Sequence, residues 1–245
     1  MRGAVLAMAC VLAACASAAR PARLTRPSGG LVEKPGAGRT LRVADAQGAL
    51  PAGAVARAAG VVRRRSRLPL VVEALAHPPA GSAWREASRL AAAEGVGAAV
   101  LVADDAGLPF LMSSPDGRWA VLNVAAIRGE SARAEARLEK LLWNAVALAL
   151  GAGGAGDPSS VLAPFSGAEG LDGLPSEPGP AAHNALVDAA RARGLGLVRL
   201  ATYRTACEEG WAPAPTNDAQ RAIWEKVHAI PANPMRIEFD PKRGR

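Results

Sequence analysis

The chain of 245 residues carries 29 lysines and arginines against 22 aspartates and glutamates, a formal net charge of +7, and half of its residues are hydrophobic although only 4% are aromatic. This length allows one domain of ordinary size with a leader and a tail, so one hydrophobic core is expected. After the leader, no stretch reaches the roughly 18 apolar residues of a membrane-spanning helix.

The first fifteen residues predict an export signal. A short positive start, MRG, is followed by an apolar run at residues 4–14, which suits a signal peptide and is too short for a stable membrane anchor. The sequence LAAC at residues 12–15 resembles the lipobox of bacterial lipoproteins, in which Cys15 becomes the lipidated first residue. Ordinary cleavage within residues 16–19 is the alternative. We expect the chain to be exported, as a periplasmic or outer-membrane lipoprotein or as a secreted protein.

The next segment, residues 16–38, is rich in Pro, Gly, Arg and Ser and lacks an apolar period, so it is predicted to be a flexible tether. A domain at residues 39–203 and a C-terminal part at residues 204–245 follow. Near the start of the domain lies one dense basic run, RRRSR at residues 63–67. A solvated helix end is the favoured interpretation, because cations complement the negative end of a helix. Anionic lipid is the alternative; nucleic acid is disfavoured because no aromatic residue interleaves with the arginines.

Within the domain, strand and helix patterns alternate. Strands are predicted at residues 40–45, 68–75 and 98–103, helices at 49–64 and 82–94, and a hairpin at 109–127. The second and third strands are apolar almost throughout, which predicts that both of their faces are covered.

The longest predicted helix spans residues 131–150, and its apolar second half should be buried. After it come a loop (151–180), a helix (181–193), a strand-like stretch (195–203), a helix (218–230) and a strand-like tail (235–239). The order predicts an α/β or α+β domain of three layers, with a mixed twisted sheet and a long buried helix.

Common signatures of catalytic and cofactor sites are weak in this sequence. The glycines at residues 151–156 match G-x-G-x-x-G, but they follow a helix instead of opening one, so a helix end and loop are predicted there. Asp104 and Asp105 are expected to cap a turn. No histidine is spaced from another as a helical metal pair would be: His77, His183 and His228. We expect no cofactor.

The order of elements, together with residues 137–172, resembles the metzincin zinc proteases, and the archaemetzincin branch most closely. In that family a long helix carries H-E-x-x-H-x-x-G-x-x-H, and a turn containing methionine lies beneath the metal. We matched the family glycine to Gly151, where the predicted helix ends. The resemblance then places the three zinc ligands at Asn144, Leu148 and Gly154. It places the general base at Ala145 and the methionine at Leu162.

The resemblance implies a fold without its usual chemistry. Zinc in such a site needs about three nitrogen or oxygen ligands and a carboxylate that accepts the proton of the bound water. Leu148, Gly154 and Ala145 have no donor atom, and one asparagine cannot hold the ion. The expectation is therefore a non-catalytic, metal-free relative whose cleft binds a peptide or protein partner, attached to the membrane through its lipid.

Two other hypotheses stay open on the sequence alone. One is a hydrolase that assembles its site across the loops from Asp104, His183 and either Asp157 or Glu169. The other is a structural envelope protein that docks a partner through residues 211–215 and the last helix.

Overall fold

A computed structural model of the chain describes residues 30–34, 36–46, 50–75, 82–127, 131–153 and 157–229. The strands in this part of the chain are β1 (Leu31–Lys34), β2 (Thr40–Asp45), β3 (Leu70–Ala74), β4 (Val96–Ala103), β5 (Leu111–Ser113), β6 (Trp119–Asn123) and β7 (Arg199–Thr202). The α-helices are α1 (Ala54–Ser66), α2 (Ala83–Ala91), α3 (Ser131–Leu150), α4 (Gly167–Gly173), α5 (Pro180–Ala192), α6 (Tyr203–Glu208) and α7 (Asp218–Ala229). The predicted export signal, Cys15, residues 16–29 and the tail at 235–239 lie outside the described residues.

The main sheet is mixed and has the strand order β3-β2-β4-β6-β5. Its first four strands are parallel, with Leu41 opposite Leu70 and Val43 opposite Val100. The last strand, β5, runs antiparallel to β6 because the two form the predicted hairpin. Parallel strands need helical crossovers, which explains why α1 and α2 separate β2, β3 and β4 along the chain.

Helices cover both faces of this sheet. The larger core lies between the sheet and the helices α1 and α3, and the smaller core lies between the sheet and α2. Every residue of β4 is buried, as its apolar run predicts. The second half of α3 is buried too, with Trp143 and Leu142 fully inaccessible. The predicted α/β class, with a mixed sheet and a long buried helix, is confirmed.

The prediction that both faces of the second strand are covered is wrong. Strand β3 forms one edge of the sheet, and the side chain of Val71 is 47% exposed. Helix α2 packs against β4 and β6 and leaves this edge uncovered. An apolar run indicates that a segment forms a strand. The position of that strand within the sheet decides whether one or both of its faces are covered.

The tether prediction is also wrong for the end of residues 16–38. Residues 31–34 form β1, which pairs antiparallel with β7, so that Leu31 lies opposite Thr202. Glu33 forms an ion pair with Arg63, and Arg39 donates its backbone N–H to the carbonyl of Gly194 at 2.9 Å. The composition of this stretch does not indicate a strand, and the strand with which it pairs lies far away in the sequence.

A small third cluster joins segments on both sides of the predicted boundary at residue 203. It contains Val32 of β1 together with Tyr203 and Cys207 of α6, and Trp211 and Trp224 pack against it. Two short helices, α4 and α6, lie where the sequence predicted a loop and the end of a strand. Among the described residues, no helix has the combined length and hydropathy needed to cross a membrane.

Candidate functional site

Helix α3 turns one row of side chains toward the segment that follows it. Asn144 and Leu148 are one turn apart, so they share a face of the helix, and both are half-buried. Ala145, at the position matched to the general base, is fully buried. The two helical positions matched to zinc ligands therefore lie side by side in the structure.

The amide of Asn144 joins α3 to the turn that contains Leu162. Its Nδ2 atom donates to the backbone oxygen of Lys140 at 2.9 Å and to that of Val161 at 2.8 Å. Both acceptors are carbonyls, so the nitrogen of the amide must face them. Asn144 thus makes a direct contact between helix and turn.

The turn itself is held by short local bonds. Ser160 is buried, and its hydroxyl accepts the backbone N–H of Leu162 at 3.2 Å. Val161 donates its N–H to the carbonyl of Glu177 at 3.0 Å. The side chain of Leu162 is 4% exposed and belongs to the main core. The residue matched to the family methionine is therefore a packing residue in this chain.

Two basic residues of α3 extend the same row. Arg137 forms a two-pronged ion pair with Asp172, with Nε to Oδ1 at 2.7 Å and Nη2 to Oδ2 at 2.5 Å. This guanidinium lowers the pKa of the Asp172 carboxyl below its ordinary value. Lys140 donates to the carbonyls of Leu171 and Asp172 at 3.0 and 2.8 Å, at the C-terminal end of α4. Arg137, Lys140 and Asn144 together bind the segment 161–172 to α3.

Gly151 ends α3, as predicted. Its φ of 75° is in the left-handed region that favours glycine. Ala152 donates to the carbonyl of Ala147 at 2.8 Å, and Gly151 donates to that of Leu148 at 3.1 Å, which is the Schellman pattern of a helix end. A Cβ on Gly117, in the hairpin turn, would lie 2.7 Å from the Gly151 Cα. The backbones of hairpin and helix end are therefore in direct contact.

A group of half-buried apolar side chains borders this face of α3. The rings of Phe110, just before β5, and Phe165, just after the Leu162 turn, meet edge to face with centroids 6.1 Å apart. Leu111 and Leu148 also pack partly exposed against the main core. The edge strand β5, the helix and the turn thus share one apolar border.

The residues at the family's zinc positions do not fit zinc. Leu148 and Ala145 have no ligand atom, and Asn144 offers only its amide oxygen, because its amide nitrogen is a donor that is bonded to two carbonyls. The third matched position, Gly154, lies outside the described residues and has no side-chain donor. Across the described part of the chain, no three His, Cys, Asp or Glu side chains are grouped so that they could hold a metal ion.

The residues of the alternative hydrolase site lie on different elements of the fold. Asp157 accepts the hydroxyl of Ser159 at 2.6 Å and its N–H at 2.9 Å, and these bonds lower the pKa of Asp157. Glu169 lies on α4 and His183 on α5. Asp104 follows β4 and is exposed.

Sequence reasoning missed Asn123, which organises the loop after β4. Its Nδ2 donates to the carbonyls of Asp105 and Leu108, each at 2.8 Å, while its Oδ1 accepts the N–H of Asp105 and that of Ala125. Asp105 in turn accepts the N–H of Gly107 at 2.8 Å, which is the predicted turn cap. The only signal in the sequence was a polar residue that ends an apolar strand.

Comparison with known proteins supports the fold. No protein-family model and no curated protein matches the chain. Among solved structures, the archaemetzincin of Methanopyrus kandleri matches with a TM-score of 0.50 and 20% identity, over 62% of this chain and 96% of that one. The chain has an archaemetzincin-like fold. At this identity the similarity shows the fold alone.

Two further structures match with lower scores. An archaemetzincin of Archaeoglobus fulgidus in complex with malonate is 13% identical, with a TM-score of 0.46 over 60% of this chain and 99% of that chain. A zinc-dependent peptidase of Methanocorpusculum labreanum is 11% identical, with a TM-score of 0.49 and the same coverage.

Proposed function

We propose that this chain is a non-catalytic protein with an archaemetzincin-like fold, which binds a peptide or an extended protein segment beside α3. We further propose that it is exported and held at the envelope by a lipid on Cys15. The observation that carries the non-catalytic role is the lack of ligand atoms at the matched positions of α3. Leu148 and Ala145 have no donor atom, and the amide of Asn144 bonds the helix to the turn through hydrogen bonds from Nδ2 to the carbonyls of Lys140 and Val161.

The edge strand β5 supports binding of an extended segment. Hydrogen bonds from Ser114 to the Trp119 carbonyl and from Asn123 to the Phe110 carbonyl identify the pairs that bond across the hairpin. Because bonded pairs alternate in an antiparallel ladder, Leu111 and Ser113 turn their main-chain groups away from β6. A peptide can add to such an edge as another strand, and apolar neighbours can accept its side chains.

Metal content and proteolysis test the non-catalytic role. The purified chain is incubated with zinc, dialysed and analysed by inductively coupled plasma mass spectrometry, then assayed with a broad mixture of peptides. We expect neither stoichiometric zinc nor cleavage. One equivalent of retained zinc together with peptide hydrolysis would overturn the proposal, and Asn144→Ala would show whether that activity depends on this helix face.

Peptides selected from a random phage-displayed library test the binding site. Ser113→Pro removes one outward N–H from β5, and the lost hydrogen bond should weaken binding by about 2- to 10-fold. Ala74→Pro, which alters the outer edge of β3, is the matched control and should leave the affinity unchanged. Proline is tolerated on edge strands, and circular dichroism verifies the fold of each variant. Equal affinity for both variants would contradict binding along β5.

A further inference from the structure

The charged residues of the main sheet are separated along the strand direction. Arg39 and Arg118 come immediately before β2 and β6, and Arg67 comes shortly before β3. At the other ends, Asp45 is the last residue of β2 and Asp104 follows β4. Because these strands are parallel, their starts lie at one edge of the sheet. We call the five arginines there, which include neighbours on two helix ends, the basic edge: Arg39, Arg64, Arg67, Arg118 and Arg193.

One segment of chain shows that Arg39, Arg67 and Arg193 lie near the turn before Arg118, and Arg64 lies in the last turn of α1, three residues before Arg67. Residues 193–198 cross the starts of the strands and contact them in turn. The Arg193 guanidinium donates to the carbonyl of Asp116 in the hairpin turn. Gly194 accepts the N–H of Arg39 at 2.9 Å, and Val198 donates to the carbonyl of Arg67 at 2.7 Å. Neighbouring strands are about 4.8 Å apart, so the edge from β3 to β6 is about 15 Å wide.

The basic edge has an excess of unpaired positive charge. Arg63 and Arg65 are neutralised by Glu33 and Glu177. By contrast, no acidic side chain in the described part of the chain forms an ion pair with an arginine of the basic edge, and three of them are exposed: Arg39, Arg64 and Arg67.

The helix dipole explains the position of only some of these arginines. Arg64, Arg67 and Arg193 lie at helix C-termini, where cations complement the helix dipole. Arg39 and Arg118 precede strands, where that effect is absent. Two exposed acidic residues share the edge, Glu94 and Asp116, so the arginines remain in excess.

The N-terminal part of the chain enters the domain at the same edge. The ion pair of Glu33 with Arg63 joins strand β1 to the end of α1. Arg39 directly precedes the first residue of β2. Cys15 precedes Gly30 by fifteen residues, a stretch that can span at most about 50 Å in any conformation. A lipid on Cys15 would therefore keep the domain within about 50 Å of the membrane.

We propose that the basic edge docks on the anionic phospholipid headgroups of the membrane to which the chain is attached. The membrane setting rests on the proposed export and lipid anchoring, but binding to headgroups is a property of the domain alone. Juxtamembrane arginines gain attraction from the negative potential of an anionic leaflet. Docking by the strand starts does not use the outward main-chain groups of β5, because these lie along the lateral side of the sheet.

Vesicle co-sedimentation tests the proposal on the full chain, with Cys15→Ser in every sample so that no lipid is attached. Vesicles of phosphatidylcholine with phosphatidylglycerol are compared with vesicles of phosphatidylcholine alone. The test variant carries Arg39→Gln, Arg64→Gln and Arg67→Gln. The matched control has the same change of net charge at exposed arginines elsewhere: Arg85→Gln, Arg133→Gln and Arg221→Gln.

We expect the parent chain to bind the anionic vesicles more tightly, with an affinity that falls as salt rises. Each arginine near the surface contributes roughly fivefold, so the test variant should lose about 100-fold and the control much less. Equal loss in both variants, or no preference for anionic vesicles, would overturn the proposal. So would binding of a DNA duplex that depends more strongly on the same three arginines. Peptide affinity measured on the same variants should stay constant, so failure here is distinguishable from failure of the β5 site.

Discussion

The bridge from Asn144 to the Leu162 turn can be tested by removing its donor. Asn144→Ala leaves the carbonyl of Val161, which belongs to a fully buried residue, without the donor it has at 2.8 Å. An unsatisfied buried carbonyl costs about 1–3 kcal/mol. The carbonyl of Lys140 keeps its bond within the helix, so it adds little. We therefore expect the free energy of unfolding to fall by about 1–3 kcal/mol, a large share of the roughly 5–15 kcal/mol typical of a domain.

The isosteric variant Asn144→Asp makes the test more specific. At neutral pH the introduced carboxylate puts an acceptor in place of the donor that faces two carbonyl oxygens, so this variant should be less stable than Asn144→Ala. Once protonated at low pH, the acid can donate one hydrogen bond, and stability relative to Asn144→Ala should recover. A packing role for residue 144 would not produce this dependence on pH.

Urea unfolding followed by circular dichroism measures both variants. The midpoint should shift without a change of slope, and the melting temperature should fall by about 2–4 °C for each kcal/mol. Asn184, exposed on α5, provides the matched control, because its changes to Ala and Asp should have little effect. Wild-type stability in both Asn144 variants would refute the conclusion that this amide holds helix and turn together.

The remaining predictions concern the ion pair beside α4, the helix end and the lipid. Because Arg137 lowers the pKa of Asp172, their ion pair stabilises the fold above the ordinary carboxyl pKa, and this stabilisation is lost as pH falls through the lowered pKa. In urea unfolding at a series of pH values, Asp172→Asn should reduce the loss of stability at acid pH. An unchanged loss of stability would contradict the role of this pair. Gly117→Ala should lower the free energy of unfolding more than Gly151→Ala in the same assay. Both glycines have a positive φ, but only a Cβ on residue 117 would lie 2.7 Å from a backbone atom. A larger effect of Gly151→Ala would contradict the contact between the hairpin and the helix end. Cys15→Ser should abolish labelling by radioactive palmitate in a bacterial host and move the protein from the membrane to the soluble fraction, whereas labelling that persists would exclude this cysteine as the lipidation site.

Much of the fold could be predicted because its elements are encoded locally. The apolar run of β4, the turn signal between β5 and β6, and the apolar half of α3 each depend on near neighbours in the sequence. The order of these elements, together with residues 137–172, indicated an archaemetzincin-like fold. The chemistry missing from that fold was also visible in the sequence, because alanine and leucine carry no ligand atom wherever they are placed.

What the sequence could not supply were contacts between distant residues. Strand β1 depends on a partner about 170 residues later in the chain, and the exposure of β3 depends on where α2 packs. The role of Asn144 likewise became visible only when α3 and the Leu162 turn were brought together.

The sequence by itself determined the elements, their order, and the absence of zinc-binding side chains at the positions matched on Gly151. The tertiary structure decided what those positions contact and gathered Arg39, Arg67 and Arg118 on one edge of the sheet. The physical reason is that helix and strand preferences act over a few residues, whereas hydrogen-bond partners and charged surfaces depend on which distant segments of the chain pack side by side.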